Sequence, residues 1–174
     1  GLTYTGNLNY NGADSLSITT SDGSASDSDS VAITVTAVND APVLTGDLSA
    51  TVAEGGSYTL TAGDLGFTDP DDAAADVTFT VSGLTNGTVR VNNVVSTSFT
   101  GADLANGLVS FTHDGSETLS AGFSVSVEDG NEDGSVPGTS AFAFTVTAVN
   151  DAPYIVTGSS DLSGAVTEDT PAGL

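Results

Sequence analysis

The chain has no cysteine, methionine, tryptophan or lysine, and its only basic side chains are one arginine, Arg90, and one histidine, His113. Without cysteine no disulfide can form, and without lysine neither a Lys–Asn isopeptide crosslink nor a lysine salt bridge is available. Twenty-three acidic residues give the 174-residue chain a net charge of −22, which repels nucleic acids and anionic membranes. No run of 18 apolar residues is present, so we expect no membrane-spanning segment. Bound cations are therefore the one additional means of stabilising the fold that this composition leaves available.

A heptapeptide, Thr-Ala-Val-Asn-Asp-Ala-Pro, occurs twice, at Thr36–Pro42 and Thr147–Pro153, 111 residues apart. This period is about the length of one β-sandwich domain, which indicates a piece of a tandem array. We therefore predict one complete unit with a linker and a partial unit on each side. The end of the upstream unit covers residues 1–38, and the first linker covers 39–42. The complete unit covers 43–149. The second linker covers 150–153, and the start of the downstream unit covers 154–174.

Apolar residues alternate with small polar residues along much of the chain, and no helical period is found. The clearest alternating runs are Val31/Ile33/Val35, Val77/Phe79/Val81, Val109/Phe111, Phe123/Val125/Val127 and Phe142/Phe144/Val146. An apolar fraction of 38% with this periodicity excludes disorder for most of the chain. The aromatic residues at these positions are expected to be core residues.

Turn signals separate these runs. Asn92-Asn93 lies between two valine-rich segments and predicts a hairpin turn, and Gly101–Asn106 predicts one short helical turn. Between Pro42 and Asn150 we predict seven to nine short strands. This pattern is typical of an all-β fold, an antiparallel β-sandwich of the Ig-like or cadherin-like kind.

The acidic residues gather in loops and at the repeated linkers. They include Asp40 and Asp151 in the linkers, Asp69, Asp71 and Asp72 in one loop, Asp114 and Glu117 in another, and Asp129 after a strand. Calcium takes six to eight oxygen ligands from carboxylates, amides and backbone carbonyls, and carboxylates gathered without a cation repel one another. Spacing alone leaves two alternatives open: calcium sites, or solvated acidic loops on a salt-adapted surface.

Several motifs carry a family resemblance. They are LTAGDL at Leu60–Leu65, FTDPDD at Phe67–Asp72, FTGADL at Phe99–Leu104, GLVSFTHDGSE at Gly107–Glu117, FSVSVEDG at Phe123–Gly130 and VNDAP at Val149–Pro153. With them, the stretch 58–153 resembles a chondroitin sulfate proteoglycan (CSPG) repeat of the cadherin-like superfamily. Residues 11–23 resemble the related repeats of giant bacterial surface proteins, and residues 166–171 resemble the start of another repeat.

The resemblance implies calcium between consecutive units, as in cadherin-like arrays. The ligands implied at the first junction are Asn39, Asp40, Asp69, Asp71 and Asp129, with Asp14 from the upstream unit. Those implied at the second junction are Glu54, either Asp114 or Glu117, Asn150 and Asp151. Since the linker is poorer in acidic and amide residues than a cadherin linker, one, two or three ions per junction all remain open.

Two functions follow as hypotheses. The first is a calcium-stiffened structural repeat of an extracellular bacterial surface adhesin or filament, which serves as a stalk or as a self-assembling fibre segment. Its partners are adjacent repeats of the chain or identical subunits. The alternative is a ligand-binding adhesin module that recognises a glycan, a host surface or a partner protein through calcium or an exposed strand edge.

An enzyme is not expected. The chain has no Gly-x-Ser-x-Gly, His-Glu-x-x-His or phosphate-loop motif and no cysteine nucleophile. Its paired carboxylates fall at the predicted junctions, and His113 is the one candidate proton shuttle near neutral pH. We expect His113 to be a loop residue beside an acidic cluster, and we assign no catalytic residue.

Overall fold

The computed structural model describes residues 1–130 and 134–152. Pro153 of the second linker and the downstream unit predicted at 154–174 lie outside these described residues. The predicted division into units stays a prediction, and the description below follows the secondary-structure elements themselves.

Strands dominate the fold. In chain order they are β1 (Gly12–Ser21), β2 (Ser26–Val35), β3 (Val43–Thr45), β4 (Ser49–Ala53), β5 (Ser57–Thr59), β6 (Gly66–Thr68), β7 (Thr78–Thr85), β8 (Gly87–Val91), β9 (Val94–Val95), β10 (Ser98–Thr100), β11 (Val109–His113), β12 (Ser120–Glu128) and β13 (Ser140–Thr147). The predicted short helical turn is confirmed as α1 (Gly101–Ala105), which begins with a capping box between Thr100 and Asp103. No helix in the described part of the chain is long and apolar enough to cross a membrane.

Two sheets form the sandwich. One has the strand order β10-β7-β12-β13-β4 and the other β5-β11-β8-β9, with β3 and β6 paired separately. The pairs are antiparallel except β4 with β13, which runs parallel. The predicted all-β sandwich is thus confirmed, and within residues 43–149 the described strands number eleven instead of seven to nine. Three of the additional strands, β3, β6 and β10, are three residues long, which is too short to show alternation in sequence.

The core lies between the two sheets. Phe111 of β11 stacks on Phe144 of β13 with ring centroids 4.3 Å apart, and Phe123 of β12 stacks on Phe142 of β13 at 5.0 Å. All four rings are at most 3% exposed, which confirms the interpretation of the alternating aromatics as core. Contacts of this kind add to the large apolar area that each ring removes from water.

The turn between β8 and β9 also follows the sequence. Asn92 and Asn93 both have positive φ, 48° and 67°, as a two-residue type I′ hairpin turn requires. Asparagine tolerates this left-handed conformation better than most residues other than glycine. The predicted hairpin is confirmed.

The strand directions decide where the acidic loops lie. Because β12 and β13 are antiparallel, the residue after β12 and the residue after β13 stand at opposite ends of the sandwich. Because β4 is parallel to β13, the residue after β4 lies at the same end as the residue after β13. The fold therefore has two acidic ends, and each end receives one of the repeated linkers.

Candidate metal centres

The first acidic cluster consists of Asp69, Asp72 and Asp129. One carboxylate oxygen from each of these residues lies within 4.8 Å of the others. Asp69 follows β6 and Asp129 follows β12, so the ends of two strands hold the carboxylates in place. Asp129 is only 4% exposed, so this cluster is partly removed from water.

A tight turn orients Asp69. Its Oδ1 accepts the backbone N–H of Asp71 at 2.7 Å and that of Asp72 at 2.6 Å, as in an Asx turn. These bonds occupy Oδ1 and point Oδ2 inward, where it is buried and accepts no hydrogen bond from the described residues. A buried carboxylate oxygen in this state is costly unless a cation or a proton meets it.

The first linker is joined to this end of the sandwich. The side-chain amide of Asn39 donates to Asp129 Oδ2 at 2.8 Å, and the backbone N–H of Asp40 donates to Asp71 Oδ2 at 3.0 Å. The structure thus brings together Asn39, Asp69 and Asp129, and it holds Asp40 against Asp71 beside them. It also adds Asp72, which was not among the predicted ligands.

Asp14, the ligand predicted from the upstream unit, lies elsewhere in the structure. It is on β1, where its carboxylate accepts the hydroxyl of Tyr4 at 2.7 Å and the backbone N–H of Ser15 at 2.7 Å. The Tyr4 hydrogen bond, with the Ser15 bond second, lowers the pKa of Asp14 below its ordinary value of 3.8. Asp14 is not among the residues that the structure gathers at the first cluster.

The second acidic cluster consists of Glu54, Glu117 and Asp151, at the opposite end of the sandwich. Their ligand oxygens also lie within 4.8 Å of one another. The charge of Glu54, followed by the contact with Asp151, raises the pKa of Glu117 above its ordinary value of 4.5. This shift is the physical sign of like charges held close together.

Glu54 joins this cluster to the end of β13. Its backbone N–H donates to the carbonyl of Thr147 at 2.9 Å, and its Oε2 accepts the backbone N–H of Val149 at 3.1 Å. Its Oε1 is buried and accepts no hydrogen bond from the described residues. Both clusters therefore share one feature, a buried carboxylate oxygen that accepts no hydrogen bond from the described residues.

The remaining predicted ligands of the second junction stand outside this cluster. Of the two alternatives left open by the sequence, the structure places Glu117, and not Asp114, beside Glu54. Asp114 is exposed and accepts the backbone N–H of Ser116 at 3.0 Å; hydrogen bonds from Ser116 lower its pKa below the ordinary 3.8. Asn150 is exposed, and its amide donates to the carbonyl of Asp151 at 3.3 Å.

The expectation that His113 is a loop residue is wrong. His113 ends β11 and is 3% exposed. Its Nδ1 accepts the backbone N–H of Gly55 at 3.2 Å and that of Gly115 at 3.1 Å, and its Nε2 lies 3.2 Å from the Thr118 hydroxyl. A ring nitrogen that accepts two N–H groups carries no proton, so the imidazole is neutral. Through its hydrogen bond with Gly115 it fixes the start of the loop that carries Glu117. The sequence did hold a signal for this burial. His113 follows Val109 and Phe111 at every second position, and both of these residues are buried.

The donor chemistry of both clusters fits calcium. Carboxylate oxygens at both clusters, and the Asn39 side chain at the first, are hard ligands of the kind that calcium prefers, and no sulfur or accessible imidazole competes for a softer metal. The residues that would hold an ion are Asp69, Asp72 and Asp129 at one end and Glu54, Glu117 and Asp151 at the other. The bound charge would neutralise the mutual repulsion at each end.

Comparison with known proteins gives a consistent result. A family model described as cadherin-like matches residues 42–148. Extracellular matrix organizing protein FRAS1 of Homo sapiens is 35% identical over 124 residues, which is 68% of this chain and 3% of that protein. Chondroitin sulfate proteoglycan 4 of Homo sapiens is 37% identical over 102 residues, which is 56% of this chain and 4% of that protein. The chain thus spans only a few hundredths of the length of these relatives.

Proposed function

The chain belongs to the cadherin-like family, and on that premise we propose that it is a calcium-stiffened structural repeat of an extracellular adhesin or filament. The relatives named for the extracellular matrix and for a proteoglycan support an extracellular structural role. The resemblance of residues 11–23 to repeats of giant bacterial surface proteins supports a bacterial source. In this role the repeat is a stalk or fibre segment whose first partners are its neighbouring repeats.

One observation carries the proposal. Each end of the sandwich has three carboxylates within 4.8 Å, and each set contains one buried oxygen that accepts no hydrogen bond from the described residues. If these residues were only a solvated acidic surface, their carboxylate oxygens would be expected to face water. Instead, one oxygen at each end is buried without a hydrogen bond, which is energetically costly. A divalent cation at each end would offset this cost.

The linkers give the cation a mechanical effect. Asn39 contacts Asp129 directly, and Asp151 belongs to the second cluster, so an ion at either end would bind the linker to the sandwich. Pro42 is the last residue of the first linker and restricts its backbone. With calcium, consecutive units would keep a fixed angle and the array would behave as a rod.

The expected stabilisation is large for a domain of this size. Extracellular calcium modules bind with dissociation constants of about 10⁻⁴–10⁻³ M. At free calcium about one hundred times the dissociation constant, binding adds about 2.7 kcal/mol per site. A typical domain has about 5–15 kcal/mol of total stability, so losing both ions would remove a substantial part of it.

A catalytic role has no support in the site. The only histidine is buried and both ring nitrogens are engaged. The clustered carboxylates stand at the two ends of the sandwich, beside residues of the repeated heptapeptide. We therefore propose that these carboxylates bind ions and take part in no reaction.

The test is small-angle scattering and thermal unfolding of the full chain in calcium and in chelator, with magnesium as the control cation. We expect calcium to lengthen the particle and raise the melting temperature, and magnesium to do so less, because it resists losing its water ligands. Equal length and equal melting temperature in calcium and chelator would overturn the proposal.

A further inference from the structure

One edge of the sandwich carries exposed valines and no acidic residue. It is β9, the last strand of the sheet β5-β11-β8-β9, and no other described strand pairs with its outer edge. Its two residues, Val94 and Val95, are 69% and 54% exposed. As an edge strand, β9 lies along the side of the sandwich and not at either acidic end. Apolar side chains on an unpaired strand edge make a place where another strand can add.

The hydrogen-bond pattern of the β8–β9 hairpin turns the backbone of Val95 outward. A two-residue turn makes its flanking residues, Val91 and Val94, a hydrogen-bonded pair. The next bond toward β8 runs from the N–H of Ser96 to the carbonyl of Val89, at 3.1 Å. Because hydrogen-bonded and non-hydrogen-bonded pairs alternate in an antiparallel ladder, the intervening Val95 points its N–H and its carbonyl away from β8.

The other three edge strands of the two sheets are protected. On β10, the N–H and the carbonyl of Ser98 are both bonded to the Ser96 hydroxyl, at 3.2 and 2.6 Å. Asp47 and Glu54 flank β4 in the sequence, and β5 lies between Glu54 and Asp64. Charged residues beside an edge strand, and backbone groups that already have partners, both oppose pairing with another chain. The edge of β9 has neither protection at Val95.

Charge restricts where two copies of this chain can meet. Each copy carries −22, so most of its surface repels a second copy. Residues 77–102 form the longest stretch without an acidic residue, and they include Arg90, the only arginine. Arg90 stands opposite Val95, and its guanidinium donates to the carbonyl of Asn93 at 3.0 Å. The strand edge with open backbone groups therefore lies where two copies bring no carboxylate of this stretch together.

We propose that β9 pairs with β9 of a second copy of this chain, antiparallel and around a two-fold axis at Val95. Each Val95 donates its N–H to the carbonyl of the other, and Val94 lies opposite Ser96 of the second copy. The two four-stranded sheets then form one continuous sheet. A two-fold contact of this kind uses the same surface on both copies, so it closes at a dimer.

This contact joins copies side by side. The strands of the sandwich run between its two acidic ends, so antiparallel pairing sets the long axes of the two copies in opposite directions. The inference goes beyond the proposed role of a structural repeat, because it names a lateral partner for it. It involves neither acidic cluster and does not depend on calcium.

A single introduced cysteine reports the contact, because the chain has none of its own. In Val95→Cys, the two equivalent Cα atoms lie about 5.5 Å apart across a hydrogen-bonded antiparallel pair, which is within the span of a disulfide. We expect mild oxidation of this variant to give a covalent dimer of twice 17.1 kDa in non-reducing electrophoresis. The matched control is Thr59→Cys, at an exposed position of β5 on the opposite edge of the same sheet. It should remain mostly monomeric.

Sedimentation equilibrium tests the contact without a crosslink. Protein concentrations up to about 1 mM are used, because an interface this small belongs to the weak, transient class. We expect the dimer fraction to rise with protein concentration and with salt, since salt screens the repulsion between copies.

Two variants remove the contact in different ways. Val95→Pro should abolish the dimer, because proline lacks the N–H that the contact uses. That N–H faces solvent in the single copy, a position where an edge strand tolerates proline, so the melting temperature should stay near that of the unaltered chain. Val95→Asp should abolish the dimer by placing two carboxylates against each other, whereas Thr59→Asp, with the same charge on the opposite edge, should retain it.

Three results would each overturn the inference. The first is an equal yield of covalent dimer from Val95→Cys and Thr59→Cys. The second is an unaltered chain that stays monomeric at about 1 mM. The third is a dimer that survives both Val95→Pro and Val95→Asp, which would mean that the copies meet on another surface.

Discussion

Replacing Asp69 by asparagine should have opposite effects on stability with and without calcium. Asparagine keeps an oxygen for the two backbone N–H groups that Asp69 Oδ1 accepts. It removes one negative charge and places an amide where the buried Oδ2 accepts no hydrogen bond. Without calcium, this amide can donate to a neighbouring carboxylate of the first cluster. With calcium, the site loses an anionic ligand.

The magnitude follows from the spacing of the cluster. At 4.8 Å, two unit charges repel by about 0.9 kcal/mol in water and by about 3.5 kcal/mol at an effective dielectric constant of about 20. Asp69 has two such neighbours, so in chelator the value in water alone gives a gain of about 2 kcal/mol, or about 8 °C in melting temperature for a domain of this size. In saturating calcium the variant should lose most of the roughly 2.7 kcal/mol that one site supplies.

Differential scanning calorimetry in calcium and in chelator measures both effects. Asp47→Asn is the matched control, because Asp47 Oδ1 also accepts a backbone N–H two residues along, that of Ser49, but Asp47 belongs to neither cluster. The control should change both melting temperatures equally. If Asp69→Asn lowers the melting temperature by the same amount in both conditions, its role is turn capping and the reasoning about charge is refuted.

Three further predictions concern other parts of the chain. Glu54→Gln should halve the calcium-induced rise in melting temperature, because one of two independent sites is lost. Combining Glu54→Gln with Asp69→Asn should abolish the rise, and a full rise in the double variant would contradict the assignment of two sites. Gly87→Ala should lower the free energy of unfolding by about 1–3 kcal/mol in urea titrations, because of overpacking. The new Cβ would come within 2.6 Å of a backbone carbonyl and would meet a core aromatic ring. The control Gly138→Ala, whose Cβ would have no atom within 4 Å, should change stability little. Burial, and then a hydrogen bond to a nearby carboxylate, raises the pKa of Tyr58 above 10.0, so its contribution to stability is full below pH 10 and is lost as the pH rises through the raised pKa; Tyr58→Phe should lack this alkaline loss in urea titrations.

Much of the fold could be predicted from the sequence because it depends on a local period. Val31, Ile33 and Val35 alternate with polar residues, and so do Phe142, Phe144 and Val146; both runs are strands. The two-residue asparagine turn also depends on local backbone preference alone. The three-residue strands β3, β6 and β10 escaped prediction because pairing with distant segments defines them.

The candidate sites were only partly predictable, because their composition depends on turn geometry. Alternating Asp-x-Asp spacing suggested Asp69 with Asp71. The turn that Asp69 caps instead directs Asp72 toward Asp129 and leaves Asp71 to accept the N–H of Asp40. The choice of Glu117 at the other end depends on a buried His113 that holds the preceding loop.

The central claim is that calcium binds at both acidic ends of this sandwich, and a crystal structure grown in calcium tests it most directly. The account predicts one density peak among Asp69, Asp72 and Asp129 and another among Glu54, Glu117 and Asp151, each with oxygen ligands at about 2.3–2.6 Å. Water-like peaks at about 2.8 Å, or carboxylates turned away from one another into solvent, would contradict it.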